Sequence, residues 1–241
     1  MIGGLITISP GCFTTVIRHI DILSTWKTNG EKNEMTSNLV NSVCVLQISI
    51  INKAFLWMQG KTATTLAVQV LKEFDFKNYR IVDGKANFGE VIKGHHHNPC
   101  FFEGHEDFTF ISTIRNPYQQ VFSDFPKNGK QTKVDFKEHV ERKFQLAKSD
   151  VYNFWNYSER FPDYILRVEK LYEDYLEIPF IRNSQLAKSG GLKRIIDSNP
   201  NKTPLNYSWK DFYDQNIADL VYYNTSSYFD LFKYDKNSWK K

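Results

Sequence analysis

Short apolar runs with the length of buried strands occur in four places along the chain: 43–51, 54–58, 79–82 and 108–114. The second run is followed by helical spacing at 64–74, where Leu66, Val70 and Phe74 recur at every fourth position. The last run alternates and is largely apolar, as in a central parallel strand. The pattern predicts strands joined by helices, and so an α/β fold.

The chemistry begins where the run at 54–58 stops, at Gln59-Gly60. A strand, a tight turn and a helix N-terminus leave backbone N–H groups directed at one place, and the helix dipole favours negative charge there. The residues that follow supply a positive charge and hydroxyl donors: Lys61, Thr62, Thr64 and Thr65. This stretch is therefore a candidate anion-binding turn.

A second turn of the same kind follows the run at 108–114, at Arg115-Asn116-Pro117-Tyr118. Pro117 suits the first turn of a helix that we predict over 118–125. Arg115 would then lie at the carboxyl end of a strand, where open α/β sheets bind ligands. Ser123 is two helical turns further on and could face the same ligand, although an arginine before Asn-Pro could also serve only to cap the turn.

The remaining chain predicts further elements with less direct chemistry. Asp83-Gly84 has turn composition after 79–82. An amphipathic helix is predicted over 135–149 and a last helix over 211–223. Residues 184–201 and 204–209 are predicted to be surface loops.

The amino-acid composition narrows the class of protein and the kind of ligand. The 241 residues, 41% hydrophobic and 15% aromatic, can bury one α/β core, which we assign to 43–241. We leave 1–42 as a poorly defined N-terminal extension. The net charge of +4 is distributed along the chain, so we expect an anionic substrate or cofactor and no nucleic-acid partner.

Cysteines and leader segments add expectations about the compartment. Three cysteines without C-x-x-C spacing indicate neither a disulfide framework nor a zinc site. The start of the chain has neither the composition of a bilayer span nor the basic start of a signal peptide. We therefore expect a soluble, cytoplasmic protein without stable membrane insertion. Oligomeric state is not predicted.

A histidine cluster precedes the second turn, with His95, His96 and His97 in a row and His105 nearby. Adjacent residues of an extended chain point to opposite sides, so three imidazoles in a row do not easily share a metal. The cluster is either a solvated loop or contains a general base, for which a pKa of roughly 6.5 is suitable. Any one of His95, His96, His97 and His105 could be that base.

Taken together, the two turns resemble the nucleotide-binding motifs of sulfotransferases. Gln59-Gly60-Lys61-Thr62-Ala63-Thr64-Thr65 resembles the 5′-phosphosulfate loop, Pro-Lys-Thr-Gly-Thr-Thr or, in uronyl 2-O-sulfotransferases, Pro-Lys-Thr-Ala-Ser-Thr. The stretch from Arg115 to Ser123 resembles their 3′-phosphate motif, Arg-Asn-Pro-Tyr with a serine eight positions after the arginine. The order of the motifs and their separation also fit that family.

Two later segments resemble carbohydrate sulfotransferases more weakly. Residues 164–174 are similar to a strand with Arg-Phe-Glu and a following acidic residue, and 228–235 are similar to a closing Asp-Phe-x-x-Phe-Gly-Tyr segment. The sequence departs from the family at three positions: Gly60 replaces a proline, Ala63 replaces the glycine of the commoner loop, and Lys233 replaces a glycine. None of these changes removes a donor from the two turns.

The resemblance implies a three-layer, P-loop-like fold with a mainly parallel central sheet flanked by helices. It also implies transfer of a sulfuryl group from 3′-phosphoadenosine 5′-phosphosulfate (PAPS) to an acceptor hydroxyl, on a glycan by analogy, without a metal. Lys61 would stabilise the leaving phosphate, and the loop would bind the 5′-phosphate through Gly60, Lys61, Thr62, Ala63, Thr64 and Thr65. Arg115 and Ser123 would bind the 3′-phosphate. In related carbohydrate enzymes a histidine shortly before the 3′-phosphate strand, or a glutamate, removes the acceptor proton. By this resemblance we rank His95 first, His97 second and His105 third, with Glu103 and Glu106 as carboxylate alternatives. Animal members are anchored in the Golgi, so the Golgi lumen is the alternative compartment.

Two other functions stay open at this point. Gly60-Lys61-Thr62 matches the end of the Gly-x-x-x-x-Gly-Lys-Thr motif of P-loop kinases and NTPases, but the first glycine of that motif would fall on Phe55. A non-catalytic relative that binds nucleotides or glycans is the third possibility. The presence of both predicted sets of phosphate-binding residues argues against such a relative.

Overall fold

The structure is a computed structural model that describes residues 44–58, 60–91, 101–125, 132–146, 160–198 and 208–240. The chain divides into two units, Met1–Met35 and Thr36–Lys241, and all of the described residues belong to the second. The predicted extension 1–42, His95 and His97 lie outside the described residues. The boundary placed at residue 42 therefore stays a prediction.

The described residues form an α/β structure around one open sheet of six strands, in the order β4-β3-β1-β2-β5-β6. The strands are β1 Cys44–Ser49, β2 Ala54–Met58, β3 Lys77–Val82, β4 Lys85–Val91, β5 Thr109–Ile114 and β6 Tyr164–Arg167. Strand β5 is parallel to both β2 and β6, whereas β1–β2, β1–β3 and β3–β4 are antiparallel. The sheet is mixed, and the prediction of a mainly parallel sheet is wrong.

Tight turns explain the antiparallel half of the sheet. Residues 50–53 alone separate β1 from β2, and Asp83-Gly84 alone separates β3 from β4. Both residues of the second turn have positive φ, 49° and 74°, as a two-residue hairpin turn requires. A parallel crossover needs a dozen or more residues, so these connections can form only hairpins.

Helices begin and end close to several of the predicted positions. They are α1 Thr64–Lys72, α2 Pro117–Asp124, α3 Lys133–Leu146, α4 Leu171–Glu177, α5 Pro179–Arg182, α6 Gln185–Lys188, α7 Gly191–Asp197 and α8 Gln215–Phe232. The loop predicted over 184–201 is wrong for its described part, because α6 and α7 occupy most of it. The last helix begins later than predicted and extends nine residues beyond position 223.

Helices cover both faces of the sheet. On one face, Leu56 and Ile111 pack with residues of α1, α4 and α7. On the other, Phe55 and Phe110 pack with Tyr228 of α8. A further apolar cluster joins α2, α3 and α8. Within the described part of the chain, no helix is long and apolar enough to cross a membrane.

Candidate functional site

The two predicted anion-binding turns lie side by side at one edge of the sheet. Strands β2 and β5 are parallel neighbours, and their last paired residues are Met58 and Thr113. Each strand is followed within a few residues by a helix, α1 after β2 and α2 after β5. Because parallel strands end at the same edge, the turn after β2 and the turn after β5 meet there.

The first of these, residues 60–63, is hereafter the Lys61 turn. The sign of φ alternates along this turn. Lys61 has φ 65° and Ala63 has φ 55°, whereas Thr62 is not among the described residues with positive φ. Alternation of this kind makes successive N–H groups converge into a concave anion site. Ala63 is also the N-cap of α1, and its methyl group cannot accept a hydrogen bond from the first helical turn.

The second turn, Arg115-Asn116, is hereafter the Arg115 turn. Asn116 caps α2 by accepting a hydrogen bond from the Tyr118 N–H at 3.0 Å, and Pro117 occupies the first helical position. The prediction of a helix with Pro117 in its first turn is confirmed. The cap fixes the angle at which α2 leaves the sheet, and so places Arg115 at the sheet edge beside the Lys61 turn.

Three contacts link the Lys61 turn to the segment 113–120, and one of them comes from the Arg115 turn itself. Arg115 donates from Nη1 to the Lys61 carbonyl oxygen at 3.3 Å, and Gln120 donates from Nε2 to the Gly60 carbonyl oxygen at 2.7 Å. The hydroxyl oxygens of Thr62 and Thr113 lie 2.6 Å apart, in the interior. The sequence resemblance grouped these turns by motif, and the structure brings them into direct contact.

Ser123 lies on the helix face that looks toward the Lys61 turn. Residues three and four apart share a helix face, and Gln119 and Gln120 stand four and three positions before Ser123. Gln119 accepts a 3.5 Å hydrogen bond from Arg115, and Gln120 contacts the Lys61 turn. Ser123 itself is half-buried. Its predicted position near Arg115 is thus consistent with the helix geometry.

The Lys61 ammonium is the exposed cation of the site. Its side chain is 51% exposed, and its Nζ lies 3.9 Å from Oδ1 of Asp124, at the end of α2. The other oxygen of Asp124 accepts a 2.8 Å hydrogen bond from Lys143 on α3. Because the Lys61 pair is long and in contact with water, it is worth little. The ammonium can therefore move to a bound anion at small cost.

Arg115 occupies a drier place. Burial lowers its pKa, and the neighbouring Glu169 carboxylate opposes that shift; a guanidinium stays charged in proteins regardless. Both of its hydrogen bonds are long, and its Nε is buried without a partner among the described residues. Buried polar groups are normally satisfied, so Arg115 retains donor capacity for an anionic ligand.

Glu169 and the end of the chain hold the back of the Arg115 turn. Glu169 follows β6, accepts a 2.8 Å bond from the Asn116 N–H and a 3.2 Å bond from the Tyr234 hydroxyl. Burial, reinforced by Glu169, raises the pKa of Tyr234, so its hydroxyl keeps its proton. Ser238 accepts a 2.8 Å bond from the Asn116 amide. Tyr234, in the segment 228–235 singled out by resemblance, is thus connected to the Arg115 turn through Glu169.

His105 lies at the other end of β5, in a short 3-10 helix, His105–Asp107, that precedes the strand. Its Nδ1 is 2.7 Å from the Phe102 carbonyl oxygen, and its ring stacks on Phe101 at 4.7 Å. A strand of six residues is roughly 15–20 Å long. The structure therefore does not bring His105, or its neighbour Glu106, together with Lys61.

Several site residues carried no assigned role in the sequence. Gln120 lies three positions before Ser123 and four before Asp124 on α2, so helical spacing from Ser123 could have found Gln120, and spacing from Gln120 could have found Asp124. Lys143 comes from a distant segment and had no local signal, whereas Tyr234 lies in the 228–235 segment, whose resemblance assigned it no role. In the described part of the chain, no three His, Cys, Asp or Glu side chains group to hold a metal. The expectation of metal-free chemistry stays a prediction.

No protein-family model, curated protein or solved structure matches the chain. Function is therefore inferred from the residues and geometry of this chain.

Proposed function

We propose that the protein is a PAPS-dependent sulfotransferase of the carbohydrate type, which transfers a sulfuryl group to an acceptor hydroxyl. One observation carries the proposal: the Arg115 guanidinium donates to the carbonyl of Lys61 across 54 positions of sequence. Two cationic turns in contact suit a ligand with two separate phosphate-type groups. The donor nucleotide has such groups at its 5′ and 3′ positions.

The residues present fit such a donor. The Lys61 turn offers converging backbone N–H groups and an exposed ammonium. Arg115 offers a half-buried guanidinium whose Nε is buried without a partner among the described residues, and charge-assisted hydrogen bonds to phosphate contribute roughly 1.5–3 kcal/mol each. In this assignment Gly60, Lys61, Thr62, Ala63, Thr64 and Thr65 hold the 5′-phosphosulfate. Arg115 and Ser123 hold the 3′-phosphate.

The reaction requires charge stabilisation more than covalent chemistry. A bond forms between the acceptor oxygen and sulfur, the bond between sulfur and the phosphate oxygen breaks, and the acceptor hydroxyl gives up its proton. Negative charge grows on the leaving phosphate oxygen, and an ammonium held at that oxygen lowers the barrier. Lys61 is the catalytic residue in this proposal. The transfer assigns no role to a metal ion.

The proton of the acceptor needs a base at the same edge of the sheet. We retain His95 and His97 as the proposed bases, and both lie outside the described residues. His105 is a weaker proposal, since its ring packs among aromatic residues at the opposite end of β5. The acceptor is proposed to be a glycan hydroxyl on resemblance alone. A lipid headgroup or a small metabolite would require the same central residues.

A P-loop kinase or NTPase is the second candidate, because of Gly60-Lys61-Thr62. The position of its first glycine, Phe55, lies inside β2 with no exposed surface, and its ring stacks on Phe110 at 4.7 Å. A phosphate loop that began there would need backbone at the ligand where this chain has a packed core. The geometry therefore favours a short turn after Met58 over an eight-residue phosphate loop.

The direct test is transfer of labelled sulfate from PAPS to a panel of hydroxyl acceptors, comparing wild type with Lys61→Ala. We expect the variant to lose about 10²- to 10³-fold in kcat, with less than a tenfold loss in affinity for adenosine 3′,5′-bisphosphate. Lys72→Ala, an exposed lysine at the end of α1, is the matched control. Nucleotide binding without transfer by the wild type would indicate the non-catalytic relative instead.

A further inference from the structure

Gln120 ties α2 to the Lys61 turn, and neither the sequence motifs nor the proposed function gives it a role. Its side chain is 5% exposed, and Nε2 donates to the Gly60 carbonyl oxygen at 2.7 Å. Its Oε1 is buried without a hydrogen-bond partner among the described residues. A buried, half-satisfied amide is costly, so packing alone is a poor explanation for a glutamine here.

The hydrogen bond to Gly60 fixes the orientation of the Gly60 carbonyl and, through the peptide unit, that of the Lys61 N–H. The peptide unit is planar and trans, so a carbonyl and the N–H of the next residue point in opposite directions. Because the Gly60 carbonyl faces Gln120, the N–H of Lys61 faces away from α2. By the same geometry, the bond from Arg115 to the Lys61 carbonyl orients the N–H of Thr62.

These bonds differ in how they would respond to a ligand. The Arg115 bond is long, at 3.3 Å, and Arg115 is the residue expected to turn toward a 3′-phosphate. The Gln120 bond is short and partly buried, and the Thr62–Thr113 hydroxyl pair is short and buried. Gln120 and Thr113 would therefore keep the Lys61 turn in shape after Arg115 engages its phosphate.

We propose that Gln120 is a positioning residue that orients the Lys61 turn for the 5′-phosphate group of the donor, with Thr113 as its partner in that task. The inference rests on the proposed function and deepens it. Gln120 acts on one subsite only: it leaves the 3′-phosphate subsite at Arg115 unchanged. A residue that merely stabilised the fold would affect both subsites alike.

Adenosine 5′-phosphate and adenosine 3′-phosphate each probe one of the two subsites. Calorimetry measures the affinity of wild type and of Gln120→Met for each nucleotide. Methionine keeps the length and volume of glutamine without its donor. We expect about a tenfold loss of affinity for the 5′-phosphate and less than a twofold change for the 3′-phosphate. Gln69→Met, an exposed glutamine on α1, is the matched control and should change neither affinity.

Thr113 supplies a second variant pair in case Gln120→Met folds poorly. Thr113→Val keeps the shape and removes the hydroxyl, and we expect a severalfold loss confined to the 5′-phosphate. Thr113→Ser restores the hydroxyl and should recover most of that affinity. A structural role for the methyl group would give the opposite order, with valine near wild type and serine impaired.

The outcomes separate this inference from the proposed function. If wild type binds both nucleotides and the Gln120 and Thr113 variants lose both affinities equally, or lose neither, the positioning role is overturned and the sulfotransferase proposal stands. If wild type binds neither adenosine phosphate, both proposals are overturned. A loss confined to the 5′-phosphate, with rescue by serine at position 113, supports the inference.

Discussion

An arginine lies at each end of β5, and the two arginines differ in their hydrogen bonds. At the amino end, Arg160 donates to the backbone carbonyls of His105 and Phe108 and to the Asp163 carboxylate, and its guanidinium lies 5.6 Å from the centre of the Phe55 ring. At the carboxyl end, Arg115 makes two hydrogen bonds of 3.3 and 3.5 Å, and its Nε has no partner among the described residues.

The difference separates a structural arginine from a binding one. The donors of Arg160 are engaged by the protein, and a phosphate would have to displace backbone carbonyls to reach them. The bonds of Arg115 are weak enough to exchange for phosphate oxygens, and the converging N–H groups of the Lys61 turn lie beside it. A buried donor without a partner, such as the Nε of Arg115, is expensive to keep, which is why we place the ligand at this end.

The largest effect that sharpens the comparison comes from Arg115→Ala. Loss of charge-assisted bonds worth roughly 1.5–3 kcal/mol should lower the affinity for adenosine 3′,5′-bisphosphate by about 10- to 150-fold. The affinity for adenosine 5′-phosphate should change less than threefold, because that ligand has no 3′-phosphate. Calorimetry with both ligands measures the contrast, and an equal loss for both would break it.

The opposite arginine should affect stability instead. Arg160→Met leaves the carbonyls of His105 and Phe108 without their donor, and we expect a loss of about 1–3 kcal/mol in the free energy of unfolding. Urea denaturation gives that value. The ratio of affinities for the bisphosphate and the 5′-phosphate should stay within twofold of wild type; a changed ratio would mean that the amino end of β5 takes part in binding.

A smaller, pH-dependent effect should come from His139 on α3, close to the Lys61–Asp124–Lys143 group. Burial lowers the pKa of His139, and Lys143 and Arg142 add to the shift while Asp124 opposes it. A histidine with a depressed folded pKa binds fewer protons than the unfolded chain, so stability should fall as pH decreases below roughly 6.5.

The check compares urea midpoints at pH 7.5 and 5.5. Glutamine at position 139 should reduce the difference between the two midpoints, since it does not titrate in this range. His105→Gln, at the other end of β5, serves as the comparison variant. An unchanged pH dependence in His139→Gln would show that other groups are responsible.

The smallest effect concerns strain in the Lys61 turn. Ala63 has φ 55° and ψ 35°, a left-handed conformation that costs a residue with a Cβ about 1–2 kcal/mol. Ala63→Gly relieves that cost and gives back part of it through the unfolded chain, so we expect a gain of about 0.5–1 kcal/mol. Ala67→Gly, inside α1, should instead lose at least about 1 kcal/mol. A loss at both positions would contradict the strained turn.

The elements on which the site is built could be predicted from the sequence. Apolar runs located β2 and β5, helical spacing located α1, and Pro117 located the start of α2, because these signals are local. Proximity of Lys61 and Arg115 came only from a family resemblance. Their hydrogen bond depends on β2 and β5 being parallel neighbours, and no local pattern encodes which strands pair.

The structure differs from the predictions where local patterns carry little information. An apolar strand looks alike in parallel and antiparallel pairs, so the predicted sheet was too parallel. His105 is near Arg115 in sequence, yet β5 separates the two residues by its whole length. In 184–201, Leu192, Ile195 and Ile196 have helical spacing that marks α7, but a helix of seven residues gives a weak signal.

The most direct measurement compares two isomers, adenosine 3′,5′-bisphosphate and adenosine 5′-diphosphate, by calorimetry with the wild-type chain. They have the same atoms and differ in where the second phosphate is attached. A site with separate phosphate subsites at the Lys61 and Arg115 turns should bind the 3′,5′-bisphosphate at least tenfold more tightly. Equal or tighter binding of the 5′-diphosphate would contradict the account.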